Sequence, residues 1–132
     1  MKDKETIMFD LLKELNKYGF ELHYYRATTG SCYIKLDYGT CGSIRISDHK
    51  GIEKYKYTFN LMTDIDKSYE KDNRKYYCLN DIDKLVQDII KHKENLEKSF
   101  NYDYKKEYWK ECCYRKRKGF WQICQEYKKR CV

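Results

Sequence analysis

Proline is missing altogether from these 132 residues, and no apolar run approaches the roughly 20 residues that a bilayer-spanning helix needs. The opening MKDKETIMFDLL mixes acids and bases where a secretory signal would carry an uninterrupted apolar core, so no membrane partner and a cytoplasmic location are expected. Internal repeats, low-complexity tracts and domain linkers are also lacking, which leaves a single domain over 1–132: a body (1–100) and a C-terminal segment (101–132). Disorder is excluded as well. Charged residues reach 37%, yet apolar positions recur regularly, so the polarity belongs to a charged surface.

The signatures of catalysis are equally absent. No glycine-rich phosphate loop follows a strand, no HExxH occurs, and no cysteine stands in the context of a nucleophile. Ser47, Asp48 and His49 supply the residue types of a hydrolase triad, but consecutive strand positions point to opposite faces, so one cannot orient the next. Asp64 and Asp66 fall in a polar loop and read as solvated carboxylates. His23 is expected on the wet face of its strand, and His92 on a charged helix surface. The sequence therefore predicts a protein that is not an enzyme and holds no cofactor.

What the chain does have is aromatic area, thiols and unevenly placed charge. Fifteen tyrosines, five phenylalanines and two tryptophans, within 41% apolar residues, suffice for one core. Seven cysteines, an odd number with no export signal, argue for free thiols. The net charge of +7 sits at one end: residues 1–100 hold 18 Lys and Arg against 17 Asp and Glu, whereas residues 101–132 hold 10 against 4. An anionic partner should meet that segment first.

Periodicity predicts an α+β fold. Met8, Phe9, Leu11, Leu12, Leu15 and Tyr18 recur at helical spacing from about Lys4, and Gly19 can take the left-handed conformation that ends a helix. Phe20, Leu22 and Tyr24 then alternate with Glu21, His23 and Tyr25, as Cys32, Ile34 and Leu36 do with Tyr33, Lys35 and Asp37. Ile44–Ile46 and Lys54–Leu61 give two more strands, completing a four-stranded antiparallel meander whose apolar face needs helices. Residues 64–75 read as a loop, with a short strand at KYYCL. Asn80 suits an N-cap for a helix with Ile82, Leu85, Val86, Ile89, Ile90, Leu96 and Phe100 in one stripe.

In the C-terminal segment, helical spacing puts Trp109, Cys113, Phe120, Cys124, Tyr127 and Cys131 on one face, which makes the cysteines small core residues. Lys116 shares that face and Gly119 follows it, so a break near 115–119 is expected, leaving two helices. Cys112, Cys113, Cys124 and Cys131 with His23, His49 and His92 lack the twice-repeated ligand pair of a structural zinc site, so no metal is expected. The run YRKRKGFW joins Arg115, Lys116, Arg117 and Lys118 to flanking aromatics, the composition that phosphates and stacked bases attract. A solvated helix end and a match to an acidic protein groove are the other readings of the same run.

The hairpin CYIKLDYGTCGSIRISDHKG, with its IRISDH strand at Ile44–His49, resembles small phage and prophage accessory proteins. The resemblance covers about residues 20–61, and the Lys-, Tyr- and Asn-rich composition resembles that of low-GC bacteria and their phages. It implies a compact accessory protein of a mobile element in a host bacterial cytosol, a setting in which such proteins are often inhibitors of host defence, the anti-CRISPR proteins among them. The expected function is thus a non-catalytic, phage-encoded inhibitor that binds a host defence effector protein of CRISPR type, or its nucleic acid. The alternative is a basic nucleic-acid-binding accessory or regulatory protein. In either, Arg115, Lys116, Arg117, Lys118, Lys128, Lys129 and Arg130 would make the charge contacts and Trp121 would supply an aromatic anchor.

Overall fold

The computed structural model describes residues 4–28, 30–47, 54–58, 74–98, 103–114 and 120–127. Helix α1 (Lys4–Asn16) precedes strands β1 (Leu22–Arg26), β2 (Cys32–Leu36), β3 (Ser43–Ser47), β4 (Lys54–Thr58) and β5 (Arg74–Cys78). Helices α2 (Ile82–Lys98), α3 (Tyr104–Tyr114) and α4 (Phe120–Ile123) follow, and β6 (Gln125–Glu126) comes last. The fold is α+β, with the N-terminal helix, the antiparallel meander β1–β4 and C-terminal helices. Among the described residues the sheet runs β5-β4-β3-β2-β1-β6, all pairs antiparallel. The KYYCL segment adds β5 at one edge, and β6 adds at the other.

Strand alternation sends Leu22, Cys32, Ile34, Leu36, Ile44, Ile46, Tyr57 and Tyr77 to one face, where all are buried. Helix α1 covers it with Ile7, Met8, Leu11, Leu12 and Leu15, and α2 with Leu85, Val86, Ile89 and Leu96. Each such side chain withdrawn from water contributes about 1.5–3 kcal/mol. Phe9 and Tyr18 were expected in the α1 stripe, but they are 37% and 49% exposed. Ile7, four and eight residues from Leu11 and Leu15, takes the stripe instead. Gly19 does adopt a positive φ of 81° just beyond α1. The first turn of α2 starts one residue later than expected: Leu85 N–H donates to the Asp81 carbonyl at 3.1 Å, so Asp81 and not Asn80 occupies the cap. Phe100 and residues 64–73 lie outside the described residues.

The end of β2 holds a buried carboxylate in a strained corner. Asp37 and Tyr38 have φ of 52° and 59°, left-handed values that cost a non-glycine residue about 1–3 kcal/mol. Asp37 is 2% exposed. Its Oδ1 accepts the Glu21 N–H at 2.8 Å, and its Oδ2 accepts the Tyr104 hydroxyl and faces Lys93 Nζ at 3.3 Å. Its own N–H donates to the Glu21 carbonyl at 2.7 Å. The Lys93 ammonium also lies 4.7 Å from the Phe20 ring and 5.4 Å from that of Tyr104. One carboxylate thus ties the start of β1 to α2 and α3. Beside it, Tyr57 donates to the Cys41 carbonyl at 2.7 Å. Burial pushes the Cys41 thiol up from 9.0 to about 12, and burial likewise raises the phenols of Tyr57 and Tyr104.

Tyr104→Phe removes one donor from a buried carboxylate and is expected to cost about 1–3 kcal/mol in urea denaturation; a loss below a few tenths would mean that the hydroxyl is not holding Asp37. A second expectation concerns pH. Cys41 is neutral in the fold and titrates near 9.0 when released, so its contribution is complete below about pH 9 and disappears as pH climbs toward 12. Urea midpoints should stay level up to about pH 9 and then decline; an unchanged midpoint at pH 11 would contradict that burial.

Candidate functional site

The face of the sheet turned away from α1 and α2 differs in character. Register aligns Tyr25 of β1 with Tyr33 of β2, Tyr33 with Arg45 of β3, Arg45 with Lys56 of β4, and Lys56 with Tyr76 of β5. A single cross-strand row therefore reads Tyr, Tyr, Arg, Lys, Tyr over five strands. Tyr25 and Tyr33 are stacked, with ring centroids 6.4 Å apart and planes 19° from parallel. The Arg45 guanidinium carbon lies 5.6 Å from the Tyr33 centroid, and its Nη2 donates to Ser31 Oγ at 3.5 Å. Side-chain pairs opposed in this way stabilise each other by about 0.2–1 kcal/mol. They also pre-position two aromatic faces and a cation. Tyr76 closes the row, 54% exposed.

The neighbouring row meets the C-terminal segment. His23 pairs with Lys35 across β1 and β2, and with Glu126 of β6 on the other side. Helix α3 lies against the turn Asp37–Gly39, from which α4 follows and sets Trp121 over this row. The His23 ring is 5.2 Å from Trp121, edge-on, and 5.1 Å from Tyr38. Tyr38 in turn meets Tyr108 at 5.1 Å. Lys35 Nζ sits 5.7 Å from the Trp121 ring, and burial lowers its pKa against the opposing pull of Glu111. Strand β6 is fastened by Tyr127 N–H donating to the Leu22 carbonyl at 2.9 Å, and by the Tyr24 hydroxyl donating to Gln125 Oε1 at 2.9 Å.

Several expectations are corrected here. His23 was assigned to a wet strand face but is 5% exposed, because Trp121 of α4 returns over it from 98 positions away. His92 is half-buried rather than on a free helix surface, its ring 6.3 Å from that of Tyr57. The common helical face for Trp109 through Cys131 does not form: Trp109 is 56% exposed, and the chain leaves the helix at Cys124 to make β6, because β1 offers an unpaired edge at His23 and Tyr24. Among the described residues, the donor set in reach of a cation is not cysteine-based. Glu21, His23 and Glu126 bring one ligand atom each within 4.8 Å of one another. An imidazole and two carboxylates suit a divalent ion such as zinc, while the aromatic packing already accounts for the orientation of His23.

Of the predicted contact residues, Trp121 is placed on the sheet face, half-buried among His23, Tyr38 and Lys35. Arg115, Lys116, Arg117 and Lys118 lie outside the described residues, as do Lys128, Lys129 and Arg130. The expected break at 115–119 also lies outside them, between α3 and α4. Lys54, Lys56 and Thr58 of β4 keep register positions on this face. Sequence reasoning passed over Tyr25, Tyr33 and Arg45. Their signal was two tyrosines at the supposedly wet positions of a hairpin. No family model, curated protein or solved structure matches the chain.

Trp121→Ala removes two aromatic contacts and one cation–π contact, and is expected to cost about 2 kcal/mol. Hydrogen exchange should then speed up at Gln125–Tyr127 while β2 and β3 stay protected; unchanged exchange at β6 would show that the indole does not hold the segment down.

Proposed function

We propose that this protein is a non-catalytic nucleic-acid-binding accessory protein whose sheet face, between Tyr25 and Tyr76, takes single-stranded DNA or RNA. The supporting observation is the cross-strand row itself: stacked tyrosines followed by a guanidinium held on an aromatic face, continued by a lysine and an exposed tyrosine in register. Proteins that bind single strands combine aromatic platforms for bases with cations along the backbone path, and every base offers a π-face, so such a surface needs no sequence code. The register positions of this face on β2–β5 hold Lys35, Arg45, Lys54, Lys56 and Arg74 and no acid. Antiparallel sheets tolerate one wet face, so the row can stay open while the core is complete. The basic runs 115–118 and 128–130 are joined by covalent chain to α4 and Tyr127, the parts that dock at the β1 end.

Inhibition of a host defence effector, the reading drawn from the IRISDH resemblance, recruits the same surface to an acidic protein groove. Within that motif, Ile44 and Ile46 are fully buried core residues, so the fold already accounts for them.

Fluorescence anisotropy with a labelled oligonucleotide tests the proposal. Single-stranded oligonucleotide should bind more tightly than duplex, with affinity falling steeply between about 50 and about 200 mM salt. Tyr33→Ala should cost about tenfold or more, the size of one lost base stack, and Arg45→Ala should lower the salt slope by about one. Failure to bind single strands, together with a protein partner retained after nuclease treatment, would replace this function with the inhibitor reading.

A further inference from the structure

A second cationic surface lies on the helix side of the sheet, on the face opposite the tyrosine row. Lys84, Asp88, Lys91 and Asn95 follow one another at spacings of 4, 3 and 4 along α2, so they share a helix face. That face opposes Lys75 of the edge strand β5, and between them lies a cleft of about 320 Å³ floored by Tyr57 and His92. The volume falls in the range of pockets that hold small organic ligands.

The charges of this cleft do not balance internally. Its one acid, Asp88, has both oxygens engaged: Oδ1 receives Lys84 Nζ at 3.0 Å and Oδ2 receives the Tyr77 hydroxyl at 2.7 Å. Lys75 and Lys91 make no ion pair with any described residue, and the Asn95 amide has no hydrogen-bond partner among them. Two ammonium groups and an amide donor therefore line a concave, half-enclosed space whose single carboxylate is held by Lys84 and Tyr77 and acts on Lys75 only at longer range. A phosphate dianion matches this need: it offers several acceptor oxygens to donors on opposite walls and neutralises their mutual repulsion. The half-buried His92 imidazole and the Asn95 amide supply polar contacts for an attached organic group.

We propose that the cleft between α2 and β5 binds a phosphorylated small molecule of mononucleotide size, with Lys75 and Lys91 clamping its phosphate. The site is independent of the sheet-face reading, since it uses the other side of the sheet and none of the same residues.

Isothermal titration of the full chain with AMP, inorganic phosphate and adenosine at low ionic strength tests it. AMP should bind at one site, inorganic phosphate more weakly, and adenosine not measurably. Lys91→Ala and Lys75→Ala should each weaken AMP by about tenfold, the loss of one charge-assisted contact. Lys98→Ala removes the same charge from the end of the same helix, outside the cleft, and should leave AMP affinity unchanged. Absence of saturable AMP binding overturns the proposal. So does equal weakening by all three variants, which would signify a diffuse response to net charge. Binding of AMP and adenosine with equal affinity overturns it as well, since the phosphate would then play no part.

Discussion

Taking a carboxylate out of water costs several kcal/mol unless it is paired and hydrogen-bonded, and Asp37 meets both conditions only with groups drawn from three distant parts of the chain. Glu21 supplies a backbone N–H, Lys93 an ammonium and Tyr104 a hydroxyl. The donors come from the residue preceding β1, from α2 and from α3, so satisfying the carboxylate fixes α2 and α3 relative to the meander. The left-handed backbone at Asp37 and Tyr38 follows from the same requirement. It turns the carboxylate inward and swings the Tyr38 ring toward His23 and Tyr108, where packing repays the strain. Tyr38 also meets Trp121, with ring centroids 6.2 Å apart, so the same corner receives α4.

The two faces of the sheet divide the work of the fold. Aliphatic side chains of α1 and the strands fill the inner face, while the outer face is held by aromatic and cationic pairs that leave polar atoms near water. Tyrosine and arginine suit that arrangement because each presents a flat, weakly hydrated surface together with hydrogen-bonding atoms. A face built this way can be covered at one end by Trp121 and remain accessible at the other, where Tyr76 stands exposed. The indole contact also explains how a two-residue strand survives at the sheet edge. The ladder of β6 is too short to hold by itself, and Tyr24, Leu22 and Trp121 supply the rest.

Period-two alternation marked β1 to β4 because each strand has one dry side, and the 3.6-residue stripe of α2 marked the helix that dries it. Both are local signals. The role of Asp37 was not legible: in the sequence it is a polar residue before Tyr–Gly, indistinguishable from an ordinary turn, and its partners are 16, 56 and 67 positions away. His23 misled for the same reason, since alternation identifies the side opposite the core but cannot say what returns to cover it. The tyrosine row was half visible. Tyr25 and Tyr33 occupied positions that should be wet, yet only the register between strands aligns them with Arg45, Lys56 and Tyr76, and register is a tertiary property.

Net charge proved a coarse guide for a related reason. The body, nearly balanced in its counts, uses its acids unevenly: Asp37 is committed to Lys93, Asp88 to Lys84 and Tyr77, Glu5 to Arg26, and Glu14 to Lys17. Carboxylates engaged in this way cancel little of the field at cations located elsewhere, because exposed charges are screened over about 8–10 Å. The register positions of the outer face on β2–β5 are left with lysines and arginines and no acid, and the α2–β5 cleft with two lysines that form no ion pair with its one acid. A nearly neutral body thus presents two separate cationic surfaces. What an anionic partner meets is set by which carboxylates the fold has already used.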